Sequence, residues 1–322
     1  MSSHSGKKVV LAALAANAGI ATVKLVVAAV SGSATMLAEA VHSLADTANQ
    51  ALLLVGMTLA ERRDPGKYPL GRESERYFWA FVVSLTIFLL GGVFAIFEGV
   101  HKLRTEHGAP PPSVLWPLVV IGLSLALEGG SFTVAMREFN RERRGRPFFE
   151  ALFAGKDPTI PVVLLEDTGA VIGLVIALVA LVLSLVTGSS LPDAIGSILI
   201  GVLLCGVGFL LAYDTHGLLI GESASPELRA QAAALTEATP GVEAVTQLLS
   251  LHLGPESILL ALKVRFRANL TLTELEATID EIEARIRRDI PAMKRIFVEP
   301  DGDYVEALDP ERRDEGAVTT SR

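Results

Sequence analysis

Six stretches of this chain are apolar enough, over enough residues, to cross a lipid bilayer, and no other feature constrains the fold as strongly. They run near Val9 to Val30, Ser33 to Ala60, Tyr77 to Val100, Leu115 to Met136, Ile160 to Val186 and Ala194 to Leu211. Most exceed the roughly 20 residues a helix needs to span the hydrocarbon core. Hydrophobic residues make up 50% of the 322 and mean hydropathy is +0.46, a balance typical of integral membrane proteins rather than soluble domains. The fold predicted for residues 9–220 is an all-α domain of six transmembrane helices.

Basic residues orient it. Lys7 and Lys8 precede the first span, five Lys and Arg lie from Arg62 to Arg76, and six from Arg137 to Lys156, whereas the opposite side carries only Lys102 and Arg104. Positive charge stays on the cytoplasmic side, so both termini are expected in the cytoplasm. The opening MSSHSGKK, an N-terminal tail of residues 1–8, runs straight into a full-length span, so a cleaved signal is not expected. The one cysteine, Cys205, lies in the sixth span and reads as structural, which excludes an intramolecular disulfide or a cysteine-based metal cluster. A net charge of -8 argues against nucleic acid as a partner.

From residue 221 to about 300 the composition turns to that of a soluble α+β domain of ferredoxin-like order, αββαβ. Ser225-Pro226-Glu227 offers a helix cap, a proline at the first helical position and an acid in the first turn, and Pro240-Gly241 ends that helix. Leu262, Val264 and Phe266 alternate with Lys263, Arg265 and Arg267, the period of a strand with one wet face, entered through a turn at Gly254-Pro255. Thr273 with Glu276 predicts a capping box for a second helix, whose stripe is Leu275, Ile279, Ile282 and Ile286. A last strand is expected over Arg295 to Val298. The polar residues 301–322 read as a disordered tail.

Charged side chains inside the spans carry the functional signal, because each costs about 2.5–3.5 kcal/mol near the bilayer centre on insertion scales. At 100° per residue Glu39, His42, Asp46 and Asn49 fall within a stripe about 80° wide on the second helix. Imidazole and carboxylate one turn apart, His42 and Asp46, can share a divalent cation. Further donors must come from another helix, and Glu166 and Asp167 open the fifth span, with Asp167 the favoured one. Gly169 and Gly173 form a small-residue pattern just beyond it, and Gly196 and Gly201 offer close approach in the sixth span.

Each polar residue also has a plainer reading, as a hydrogen bond between helices. That suits Asn49 well, and Glu39 reads as a solvated residue near the interface, so both count as accessory candidates. Glu128 reads either as a proton carrier or as the partner of Lys24. Glu98 and Asp193 sit near span ends and read as structural; His252 reads as a satisfied strand histidine.

The runs AEAVHSLADTANQALL, YPLGRESERYFWAF, DPTIPVVLLEDTGAVIGLVIA and PDAIGSILIG resemble, in content and order, the cation diffusion facilitator family and its zinc-transporter-9 branch. The resemblance implies a homodimeric antiporter that exports a divalent cation, zinc first, from the cytoplasm against protons; the related eukaryotic branch is organellar, but no Arg-rich amphipathic presequence appears, and in a prokaryotic cell the plasma membrane is expected. It also implies a metal site built from His42, Asp46 and Asp167. The family's remaining ligand position is Val163, which cannot bind metal, leaving Glu166 or a water as the fourth partner. Tyr68 and Arg72 stand where many members carry histidines, and the C-terminal domain has only His252, so accessory and regulatory metal sites are not expected. Zinc is cargo, with no permanently bound cofactor and no enzymatic activity expected; the partners are the metal ion, protons, lipid and a second copy. Metal and protons compete for the same groups, which couples their fluxes. Cobalt, nickel and manganese accept similar donors. Two other classes remain: a membrane scaffold or sensor with a vestigial site, and an intramembrane metallohydrolase, which the lack of HExxH ranks last.

Overall fold

Backbone N–H and C=O groups find no partners in hydrocarbon, so a chain this apolar must pair them within its own helices. In the computed structural model, which describes residues 3–31, 34–105, 115–143 and 145–301, it does so in two compact units that divide between Ile220 and Gly221. Among the side chains outside the described residues are those of Glu39 and His42.

The first unit is helical. Its elements are α1 (Ser3–Ser31), α2 (Ala34–Ala60), α3 (Glu75–Thr86), a π-helical segment Ile87–Val93, α4 (Phe94–Thr105), α5 (Leu115–Glu142), α6 (Phe148–Ala154), α7 (Thr159–Thr187) and α8 (Leu191–Ile220). Among the described residues, five helical stretches are long and apolar enough to cross a membrane: Gly6–Val30, Glu75–Arg104, Pro117–Arg141, Thr159–Thr187 and Leu191–Ile220. The chain is therefore that of an integral membrane protein. Helix α2 has 27 residues, length enough for a span, and carries the polar stripe.

Four details depart from the sequence expectation. Helix α1 begins at Ser3, so the expected N-terminal tail is helical, and Lys7 Nζ ties it to Glu61 Oε1 at the end of α2 at 2.7 Å. The third span holds the π segment, and α8 runs past Leu211 to Ile220. The short α6 had no counterpart in the hydropathy pattern; Phe148 packs edge-on to Phe139 of α5 with ring centroids 5.1 Å apart.

Helix α1 packs on α2 and α5, α5 on α7, and α7 on α8, while the third span lies along α8. The main apolar core gathers Val9, Val10, Met57, Val83, Phe139, Leu152 and Ile160–Leu164, at the end of the bundle where α1, α3 and α7 begin. The third span and α8 touch through their backbones. A Cβ added to Gly201 would lie 2.6 Å from Ile96 Cγ1 and 2.7 Å from the carbonyl oxygen of Gly92, and one added to Gly92 would lie 2.6 Å from the backbone N of Cys205. Gly208 meets the backbone of Phe88 in the same way, at 2.7 Å. By contrast Gly169 and Gly173, singled out by their spacing, face Leu204 and Ile200 side chains at 3.2 and 3.6 Å.

The second unit has the order α9 (Pro226–Glu237), β1 (Val242–Gly254), β2 (Ser257–Phe266), α10 (Leu272–Asp289) and β3 (Met293–Pro300). Strands β1 and β2 form an antiparallel hairpin, β2 and β3 pair in parallel across α10, and the sheet order is β1-β2-β3. One sheet face buries Ile258, Leu260, Leu262 and Val264 against Ile282 and Ile286 of α10. Ser225 caps α9 by accepting the N–H of Leu228, with Pro226 at the first helical position. The capping box of α10 is Thr271 with Glu274, not Thr273 with Glu276. Both pairs have the right spacing, and the earlier one gives the helix two further residues. The Glu274 carboxylate, accepting from the N–H and the hydroxyl of Thr271, both at 2.8 Å, is held below the usual range by those bonds. Thr278 joins Ile282 and Ile286 on the buried stripe. Of the expected 301–322 tail only Asp301 is described, and its N–H donates to the Val264 carbonyl at 2.9 Å; the rest lies outside the described residues.

The backbone contact between the third span and α8 carries a stability prediction. Gly201→Ala must push Ile96 and the Gly92 carbonyl apart, an overpacking cost of about 1–3 kcal/mol. Gly206→Ala meets nothing within 4 Å and removes a flexible residue from a helix. Thermal unfolding of the purified protein in detergent is expected to show a clearly lower Tm for Gly201→Ala and an equal or higher one for Gly206→Ala.

Candidate metal centre in the membrane

The two acids that open α7 are adjacent in sequence, about 100° apart around the helix, and so address different neighbours. Glu166, 8% exposed, faces α2: Asn49 Nδ2 donates to its Oε1 at 3.0 Å and Gln50 Nε2 donates to its Oε2. Asp167, 1% exposed, faces α5, where the Ser131 hydroxyl donates to its Oδ2 at 2.7 Å. The residue favoured as the partner of α2 thus bonds α5, and it is Glu166 that bonds α2.

Asn49 and Gln50 follow Asp46 by three and four residues, one turn further along α2, which sets all three on one face. Asp46 is part-buried. Ser131 follows Glu128 by three residues on α5 in the same way, and both are buried. Glu128 lies within Coulombic range of Asp167, Asp46 and Lys24, and Glu166 within range of Asp46, Asp167 and Glu128. Lys24 is itself buried on α1. Gly19 of α1 approaches Leu127 of α5, and Val27 packs with Val120, so the two helices run antiparallel and Lys24 lies along α5 between those contacts.

The bundle therefore brings carboxylates of α2, α5 and α7 within Coulombic range of one another, with the Lys24 ammonium in range of Glu128. Such a group cannot be buried with its full negative charge uncompensated, so positive charge has to be shared among its members. Among the described residues, no three His, Cys, Asp or Glu side chains converge closely enough to hold a metal ion in this arrangement. The side chains of His42 and Glu39 lie outside the described residues; their helix positions, one turn and two turns before Asp46, are those the stripe gives.

Val163, four residues before Asp167, is fully buried in the apolar core with Val162 and Leu164. Lys102 Nζ binds Asp193 Oδ2 at 3.0 Å and Glu98 Oε1 at 3.2 Å, tying α4 to α8 at the span ends, the structural role expected of those acids. Arg72 stacks on Tyr68, 4.5 Å from the ring centroid, and binds Glu75 Oε1 at 2.6 Å, a bond that raises the guanidinium pKa. This cation fills a position where a histidine would offer a metal donor. His252 is buried, its Nδ1 3.4 Å from the Gly254 carbonyl and its N–H bonded to the Glu222 carbonyl. The sequence reading passed over Gln50 and Ser131. Their signal was positional: one turn from Asp46 and from Glu128, respectively.

Residues 10–220 match the model of the cation efflux transmembrane domain, and residues 224–302 that of the cation efflux protein cytoplasmic domain. The proton-coupled zinc antiporter SLC30A9, mitochondrial, of Xenopus laevis is 36% identical over 266 residues, 82% of this chain and 46% of that protein. Its Homo sapiens counterpart is 34% identical over 265 residues, 82% and 45% of the two chains. Metal tolerance protein C4 of Arabidopsis thaliana is 33% identical over 271 residues, 84% and 59%. The chain spans about half the length of the curated relatives it matches. With both units matched end to end by cation efflux models, the chain belongs to the cation diffusion facilitator family.

Proposed function

We propose that this protein is a proton-coupled antiporter that carries a divalent metal cation, zinc foremost, across the membrane in which it sits. The observation that carries the reading is the group of carboxylates drawn from α2, α5 and α7, three of them buried and Asp46 part-buried, whose full negative charge is costly to hold uncompensated inside the bundle. A divalent ion supplies that charge in one half of the cycle and protons supply it in the other. His42, Asp46 and Asp167 are the ligands, with Glu128 and Lys24 beside them. His42 with two carboxylates suits zinc; cobalt, nickel and manganese compete on geometry. The names of the vertebrate relatives, zinc antiporters coupled to protons, support the same assignment.

In this reading α2 also crosses the membrane, which brings the count to six and places both termini in the cytoplasm, where the basic loops also lie. The membrane is the plasma membrane in a cell without organelles, and metal leaves the cytoplasm. Residues 221–300 pair two copies. Leu249 and Phe297 are each 56% exposed on the sheet face away from α10, and Ala261 pairs directly with both. An apolar centre of that kind, on a domain matched by a dimerisation-module model, favours a second copy of the same chain.

The scaffold reading draws on Val163, a valine where the family places a donor. It differs from the carrier in one measurable respect, net flux.

Reconstituted in proteoliposomes, the protein is expected to take up zinc in exchange for protons reported by an internal pH dye. Asp46→Asn and Asp167→Asn should each lower that flux at least tenfold while the folded protein still elutes as the wild type does. Zinc flux at the wild-type level in both variants would remove them from the site, and zinc binding without flux in the wild type would favour the scaffold. For the second unit, Leu249→Asp with Phe297→Asp is expected to convert the detergent-solubilised dimer to a monomer by light scattering. Ala261→Cys in a Cys205→Ser background should form a disulfide-linked dimer on mild oxidation.

A further inference from the structure

Glu166 is the one acid of the buried group whose two oxygens are both engaged from a single neighbouring helix. Asn49 takes Oε1 at 3.0 Å and Gln50 takes Oε2, and Asn49 and Gln50 are 2% and 0% exposed. A carboxylate only accepts, so each amide must turn its NH2 toward Glu166. The cost appears on the other side of the same amides: Asn49 Oδ1 and Gln50 Oε1 are buried with no hydrogen-bond partner. Two orphaned carbonyl oxygens are left so that one carboxylate is held in place. Asp167, next in sequence, is held differently, by a single hydroxyl on α5.

The clamp also sits beside the cation's ligands. Asn49 and Gln50 lie one turn beyond Asp46 on α2, and Glu166 adjoins Asp167 on α7. Glu166 lies within Coulombic range of both Asp46 and Asp167, so an ion bridging those two would have a third carboxylate nearby.

We propose that Asn49 and Gln50 hold Glu166 out of the cation's ligand set, leaving the fourth position to water. Gln50, with no other role in the chemistry, thereby sets how tightly the ion is bound. This inference rests on the transport-site reading above and deepens it. A third carboxylate ligand adds charge directly to the divalent ion and slows its departure, and a carrier, like a channel, needs binding weak enough to let its ion go. The clamp trades affinity for turnover. It also ties α2 to α7, the two ligand-bearing helices.

The test uses the full chain, in detergent for zinc titration against a chromophoric chelator and in proteoliposomes for flux. Gln50→Met keeps the volume and removes the donor. It is expected to tighten zinc binding at least tenfold and to slow zinc turnover. Adding Glu166→Gln to it should erase that gain, because the freed ligand is then gone; a merely structural defect would weaken binding, and the second change would not reverse it. Should Gln50→Met fail to fold, Gln50→Ala and Asn49→Leu read the same quantity. Unchanged or weaker zinc binding in the folded variants, or a gain that persists with Glu166→Gln, overturns the clamp. If instead Asp46→Asn and Asp167→Asn bind zinc as the wild type does, the transport-site reading itself falls, and the clamp with it.

Discussion

Carboxylates buried inside a lipid-spanning bundle must be satisfied by the neighbours they face, and the two on α7 determine which helices those are. Glu166 draws the amides of Asn49 and Gln50 from α2, and Asp167 draws the hydroxyl of Ser131 from α5. Because adjacent residues on a helix diverge by about 100°, one sequence step addresses two partners. Helix α1 then lies along both α2 and α5, with Lys24 buried and within Coulombic range of Glu128. The packing of α1, α2, α5 and α7 follows from polar satisfaction as much as from shape. In hydrocarbon, burying apolar side chains against one another carries little driving force, so such bonds and close contact have to select the arrangement.

The third span and α8 solve the same problem without polar groups. Their glycines let the backbones meet, Gly92 against Cys205 and Gly201 against Gly92 and Ile96, so dispersion over a long contact holds them. The π segment Ile87–Val93 sits within this contact, and the Cys205 thiol reaches the Phe88 carbonyl at 3.8 Å, a weak bond offered where π-helical spacing shifts the ladder. That gives the lone cysteine the structural role its place in the sixth span suggests. The first unit thus holds one set of helices around a polar interior and a glycine-lined pair beside it, joined where α7 meets α8 and where α2 meets α3.

Hydropathy and period made the spans, the αββαβ order and the polar face of α2 legible, because each is a property of many residues at once. What escaped notice depends on single contacts. Thr271 and Thr273 both precede a glutamate by three residues, and only the position at which the chain leaves its extended path decides which of them caps α10. The glycine spacing at Gly169 and Gly173 is the textual motif, yet Gly92 and Gly201, on different helices, make the closer approach. Gln50 and Ser131 carry no charge and so raised no alarm in an apolar run, although each stands one turn from an acid that did. The π segment has no periodic signature short enough to detect in a uniformly apolar stretch.

Val163 shows how a departure from a motif acquires a physical sense from its surroundings. Along α7 the order is an apolar turn, Ile160–Leu164, followed by Glu166 and Asp167. The apolar turn belongs to the core that closes the end of the bundle where α1, α3 and α7 begin, and Val163 is wholly inside it. A ligand needs an open line to the ion and a partner for its second polar atom, whereas a seal needs side chains that no water will follow. One position cannot meet both demands, since a donor there would carry an unsatisfied polar atom into the core, at about 1–3 kcal/mol. Valine commits the position to the seal. Past the seal on α7, Glu166 is kept occupied by two amides of α2 and Asp167 by the Ser131 hydroxyl of α5.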